Sequence, residues 1–174
     1  WAFDLDADRY LFHGLRPALT LPEGEHQTSV YIEDGCGNYS RSHGVSFGVD
    51  DTPPTLSLRR TSGGSLIPRG AAFSVEVTAG DRLSGLQNVA LWLDNPGYDE
   101  FSYARKLCDV AGPWTTGETE TKRLTLTADF TGGLHTIYAV AEDMAGNERV
   151  ADLAIFCYRA VSVGTFGSNV KSKR

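Results

Sequence analysis

One phrase occurs twice in this chain, and it constrains the fold more than any other feature. Residues 24–38 read GEHQTSVYIEDGCGN, and residues 133–147 read GLHTIYAVAEDMAGN. At an offset of 109 residues, Gly24, His26, Glu33, Asp34, Gly37 and Asn38 match Gly133, His135, Glu142, Asp143, Gly146 and Asn147. A repeat of that period reads as tandem copies of one small domain. The copies are unequal: residues 51–132 stand before the second phrase, but only 23 residues stand before the first. Residues 1–50 are therefore expected to form a partial domain holding only later strands. Residues 51–160 are expected to form a complete one, followed by a polar tail over 161–174.

The period inside each copy is two. Residues 72–79 (AFSVEVTA) put Phe73, Val75 and Val77 on one face, and 123–128 (RLTLTA) put Leu124 and Leu126 on one face. Residues 151–158 (ADLAIFCY) do the same with Leu153, Ile155 and Cys157. Such alternation is the signature of a half-buried strand. Residues 89–93 (VALWL) and 136–141 (TIYAVA) are continuously apolar, as central strands are. No run of ten or more residues carries a helical period. Gly-Gly at 63–64 and 132–133, Asn-Pro-Gly at 95–97 and Ala-Gly-Pro at 111–113 supply turn chemistry between the runs. Short strands at regular spacing predict an all-β, antiparallel sandwich. WAFDLD (1–6) overlays VALWLD (89–94), and GVSFGVDD (44–51) is expected to hold the last strand of the first copy. A sandwich without its first strands has an open edge and half a core. Another polypeptide, from the same precursor or a neighbouring subunit, is expected to complete it.

Charge and cysteine usage narrow the chemistry. The formal net charge is −6, and the one basic cluster is Lys171, Lys173 and Arg174. Nucleic acid is therefore an unsuitable partner, because phosphate binding needs a basic stripe. No apolar run approaches the ~18 residues of a membrane helix. Three cysteines are present without a Cys-x-x-Cys spacing, which argues against a zinc site. Cys108 and Cys157 fall in the same copy and either form a disulfide or pack as free thiols. Cys36 has no partner in its own copy. The ending Lys-Ser-Lys-Arg (171–174) reads as a processing site or as a flexible basic tail.

Several stretches together resemble the bacterial Ig-like repeats of secreted and surface proteins. They are DTPPTLSL (51–58), FSVEVTAGDRLSGLQNVALWLDN (73–95), PWTTG (113–117) and GGLHTIYAVAEDMAGNERV (132–150). The motifs carrying the resemblance are Pro53–Pro54, the Asp-x-x-Ser-Gly turn from Asp81 to Gly85, and the Ala-x-Asp-x-x-Gly-Asn turn from Ala141 to Asn147. The first copy keeps Asp34, Gly37 and Asn38 of the last motif. The resemblance implies tandem immunoglobulin-like sandwiches, specific for fold and unspecific for function.

In such a sandwich Asp50 and Asp51 of the linker, Asp81 and Asp143 converge where the two units meet. An oxygen-only cluster suits calcium. Alternatively, Asp81 and Asp143 accept backbone N–H groups of their own turns. Trp92 and Trp114, with Tyr98, Phe101 and Tyr103, are core aromatics or a platform for a glycan. His26 and His135 are equivalent in the repeat and are expected to hold turns. No nucleophile elbow, His-Glu-x-x-His or phosphate loop occurs. The expectation is a non-catalytic, secreted or surface module acting in spacing, adhesion or assembly. The alternative is an accessory chain of an extracellular hydrolase that binds polymeric substrate, and the sequences flanking Trp1 and Arg174 would discriminate the two.

Overall fold

Alternation with period two gives strands whose one face can be buried, and two such faces must meet to exclude water. A computed structural model describes residues 2–5, 8–11, 20–64, 66–94 and 105–159, with side chains from residue 20 onward. Every regular element among them is a strand. The first unit holds β1 (Ala2–Leu5), β2 (Asp8–Leu11), β3 (Gly24–Glu33), β4 (Tyr39–Arg41) and β5 (Val45–Val49). They form one antiparallel sheet in the order β2-β1-β3-β4, with β5 also paired to β3.

The second unit is a sandwich. Its strands are β6 (Thr55–Arg60), β7 (Leu66–Pro68), β8 (Ala72–Gly80) and β9 (Leu86–Leu93), then β10 (Arg105–Asp109), β11 (Thr119–Thr127), β12 (Gly133–Asp143) and β13 (Glu148–Tyr158). One sheet runs β10-β9-β12-β13-β7 and the other β11-β8-β6. Phe73, Val75, Val77 and Ala79 of β8 are buried against Leu91, Ile137, Ala139, Ala141 and Ile155 of the larger sheet. Each fully buried large apolar side chain contributes about 1.5–3 kcal/mol, so this cluster carries the unit's stability. The outer face of β8 is polar. Glu76 there lies between Arg59 of β6 and Arg123 of β11, and the Arg123 contact is 3.1 Å. Gly80 is required by close approach, since a Cβ would fall 2.5 Å from the Glu118 carbonyl oxygen.

The sheet of the first unit matches the larger sheet of the second, strand for strand, over much of its extent. β3 and β12 match at the 109-residue offset. β1 pairs Leu5 with Thr28, while β9 pairs Leu93 with Ile137. Ala2–Leu5 therefore occupy the place of Ala90–Leu93, the register of the WAFDLD/VALWLD overlay. β4 matches the start of β13, because Tyr31 pairs with Arg41 as Val140 pairs with Val150. β5 departs by one residue: Thr28 pairs with Val45, where the offset calls for Gly44.

Ser42 makes the slip. Its backbone N–H donates to the Val30 carbonyl at 2.9 Å, and its hydroxyl accepts the Val30 N–H at 2.9 Å. A one-residue slip reverses the faces of everything after it. Val45 and Phe47 consequently share the face of Thr28 and His26. Among the described residues the first unit has no counterpart of the sheet β11-β8-β6.

Candidate functional site

The recurring residues of the repeated phrase encode a turn. Asp143 Oδ1 accepts the backbone N–H of Ala145 at 2.9 Å and of Asn147 at 2.8 Å, and Oδ2 accepts the Asn147 side-chain amide at 2.9 Å. Gly146 sits at φ +91°, a left-handed conformation that favours glycine. The first copy repeats the pattern. Asp34 Oδ1 accepts the N–H groups of Cys36 and Asn38, both at 2.9 Å, Oδ2 accepts the Asn38 amide at 2.8 Å, and Gly37 has φ +85°. These bonds to the ionised carboxyl hold Asp34 below the usual carboxylate range, the Asn38 amide foremost. The Asp-x-x-Ser-Gly turn works alike: Asp81 Oδ1 accepts Leu83 N–H at 3.1 Å and Gly85 N–H at 2.7 Å.

The linker plugs into both turns of the second unit. Asp50 Oδ1 accepts the Thr52 N–H at 3.0 Å, and Oδ2 accepts the Ser84 N–H at 3.0 Å. The Asp50 backbone carbonyl accepts the second hydrogen of the Asn147 amide at 2.9 Å. Hydrogen bonds from Ser84 above all, against the opposing effect of burial, hold the Asp50 carboxyl below its usual value. The Thr52 hydroxyl donates to Glu23 of the first unit. Pro54 is fully buried, and Arg149 Nε reaches its carbonyl at 3.4 Å. The contributions of Ser84, Glu23 and Thr52 were not singled out from sequence. The recurrence of Asn147 was a signal for its turn, but its second bond depends on a chain 97 residues away.

Three of the four carboxylates expected at the junction meet there. One carboxylate oxygen from each of Asp50, Asp81 and Asp143 lies within 4.8 Å of the other two, and Asp81 and Asp143 are buried. Asp51 is exposed and stands outside the group, because Asp50 alone turns into the pole. Like charges this close repel. The N–H donors to Asp81 and Asp143 offset part of that repulsion, while Asp81 Oδ2 accepts none of the hydrogen bonds found among the described residues. An oxygen-only set of this kind could hold a hard cation, which takes six to eight oxygen ligands.

The remaining candidates separate. His135 Nε2 donates to the Thr131 carbonyl at 2.9 Å and Nδ1 to Asp94 Oδ2 at 2.7 Å. Both partners are acceptors, so the protonated ring donates from both nitrogens at once. Burial alone would lower the His135 pKa. The Asp94 and Thr131 bonds outweigh it and place the pKa above the ordinary value. His26 Nε2 donates to the Pro22 carbonyl at 2.8 Å in the equivalent place. Both histidines hold the chain leading into their strands.

Trp92 alternates with buried Leu91 and Leu93 and lies on the outer face, with the Lys106 ammonium 5.7 Å from its ring. Trp114 packs against the core, beneath Lys122 at 5.2 Å. Tyr98, Phe101 and Tyr103 lie outside the described residues, as does the tail from 161 to 174.

The Cys108–Cys157 disulfide is not formed: both are free thiols. β9 and β12 separate β10 from β13. Three strand spacings amount to about 14 Å, twice the ~7 Å limit for a disulfide. Burial, and then the Asp109 charge, push the Cys108 thiol pKa up. Cys36 is exposed and Cys157 buried.

No family model matches the chain, and no curated protein matches it. Among solved structures it is similar to fibronectin(III)-like modules of Clostridium thermocellum CbhA, at 16% identity and TM-score 0.49, covering 91% of this chain and 77% of that one. It is similar to beta-glucosidase from Listeria innocua at 14% identity and TM-score 0.41, covering 66% of this chain but 17% of that one. A 1.5-MDa bacterial ice-binding adhesin is similar at 10% identity and TM-score 0.41, covering 91% of this chain and 52% of that one. Scores at this level carry no functional weight. The strand pairing itself defines the described residues as all-β, with a two-sheet sandwich preceded by a single sheet that matches the larger sheet of that sandwich.

Proposed function

We propose that this chain is a non-catalytic, Ig-like module of a secreted or surface bacterial protein that holds neighbouring parts of that protein at a fixed spacing. The observation that carries the reading is the Asp50 clamp. The residue that follows the first unit's last strand is held by Thr52, by Ser84 of one turn and by Asn147 of another. A flexible tether between independent domains needs no such cross-links, whereas a rigid joint does. Residual dipolar couplings test it. The two units should share one alignment tensor, and the double variant Asp50→Ala/Asn147→Ala should give two. Separate tensors in the unmodified chain would refute the rigid joint.

We further propose calcium as the ion for Asp50, Asp81 and Asp143. The supporting observations are the 4.8 Å grouping and the spare Asp81 oxygen. A ligand that binds only the folded state raises the melting temperature. At a calcium concentration 100 times its dissociation constant the gain is about 2.7 kcal/mol. Identical melts in chelator and in millimolar calcium would remove calcium from the proposal.

A further inference from the structure

The first unit presents an apolar sheet face with nothing over it among the described residues. Val30 is 38% exposed, Ile32 47%, Val45 60% and Phe47 37%. Register places them together: Val45 pairs with Thr28 and Phe47 with His26, while Val30 and Ile32 continue the same side of β3. The positions of Val30 and Ile32 correspond to Ala139 and Ala141 in the second unit, both 0% exposed. A contiguous exposed patch of large apolar side chains on a soluble sheet marks an interaction surface.

The chain itself shows what covers such a face. In the second unit β6 and β8 supply the apolar side that buries β12 and β13. They precede β9 in the chain: Thr55 begins β6 about 35 residues before Ala90, which holds the place of Ala2. The first unit also carries the receiver for the linker that leads into such strands. The Asn147 amide bonds both Asp143 and the Asp50 carbonyl, whereas among the described residues the Asn38 amide bonds Asp34 alone.

We propose that a strand pair built like β6 and β8, from the polypeptide preceding β1 in the intact protein, covers the face formed by Val30, Ile32, Val45 and Phe47. Its linker carbonyl takes the free hydrogen of the Asn38 amide. Val30 and Ile32 are bulkier than Ala139 and Ala141. At native packing density the covering strands therefore carry smaller side chains opposite them than β6 and β8 carry opposite the alanines. The Ser42 slip belongs to the same design, because it delivers Val45 and Phe47 to the face that is to be covered.

The test is thiol accessibility. Ile32→Cys and, separately, Phe47→Cys are made with Cys36→Ser and Cys108→Ser, leaving buried Cys157 as the internal reporter of folding. Each is prepared in this chain and in the chain extended by the natural preceding residues, and labelled with a maleimide. The expected result is rapid labelling at both sites in this chain and at least 100-fold slower labelling in the extended one, with Cys157 protected throughout. Equal labelling rates with and without the extension would overturn the proposal. Protection that appears in this chain alone as its concentration rises, with a doubled mass, would also overturn it, since the occupant is then a second copy.

Discussion

Replacing Asn147 by Ala separates the turn from the joint. The Asn147 amide donates to the buried Asp143 carboxylate at 2.9 Å and to the Asp50 carbonyl at 2.9 Å. A hydrogen bond to a charged group contributes about 1.5–3 kcal/mol and a neutral one about 0.5–1.5. Asp143 is 0% exposed, so water does not readily replace the lost donor. Asn147 itself is half-buried, which keeps the sum toward its lower range: about 2–4 kcal/mol. The matched control is Asn38→Ala, which removes the same turn bond where both partners are exposed. Its loss should be at most a third as large. Urea unfolding followed by far-ultraviolet circular dichroism reads the strands of both units. With a slope near 2 kcal/mol/M, the Asn147→Ala midpoint should fall by roughly 1–2 M. A fall below about 0.5 M, or equal losses in both variants, would refute the view that burial of this turn against the linker gives it its strength.

Other outcomes follow from single contacts. The folded pKa of His135 lies above its ordinary value. Its stabilisation is therefore complete below about pH 6.5 and is lost as pH rises through the folded value. Urea midpoints measured from pH 5.5 to 8.5 should show that decline and should flatten in His135→Gln; parallel profiles would contradict the doubly donating ring. Gly80→Ala should cost about 2–3 kcal/mol, because its Cβ would meet the backbone of Glu118 and Thr119 at 2.5 and 2.7 Å; an unchanged midpoint would exclude that close approach. Alkylation followed by mass spectrometry should modify Cys36 fastest, Cys108 more slowly, and Cys157 only on unfolding. A Cys108–Cys157 linked peptide would contradict the strand order.

The parts of the fold legible in the sequence were those governed by local rules. Alternating runs such as Phe73, Val75 and Val77 declare strands because successive side chains point to opposite faces. The Asp34 and Asp143 turns are legible because their acceptors reach donors two and four residues on. The three carboxylates were foreseen through the resemblance, which supplied the pole at which the turns meet.

Other features depended on distant register. Nothing near Asp51 distinguishes it from Asp50, and only the path of the linker decides which of them enters the cluster. The Cys108–Cys157 pairing failed because two strands intervene between β10 and β13, a fact of sheet order rather than of spacing. The face of Val45 and Phe47 was settled by a single inserted residue at the Ser42 slip. Local patterning is enough to set the strands, their turns and the repeat that makes the two units alike. Which faces meet is settled only on folding, since side-chain direction within a strand is local but the partner across a sheet or a joint is set by residues far away in the chain.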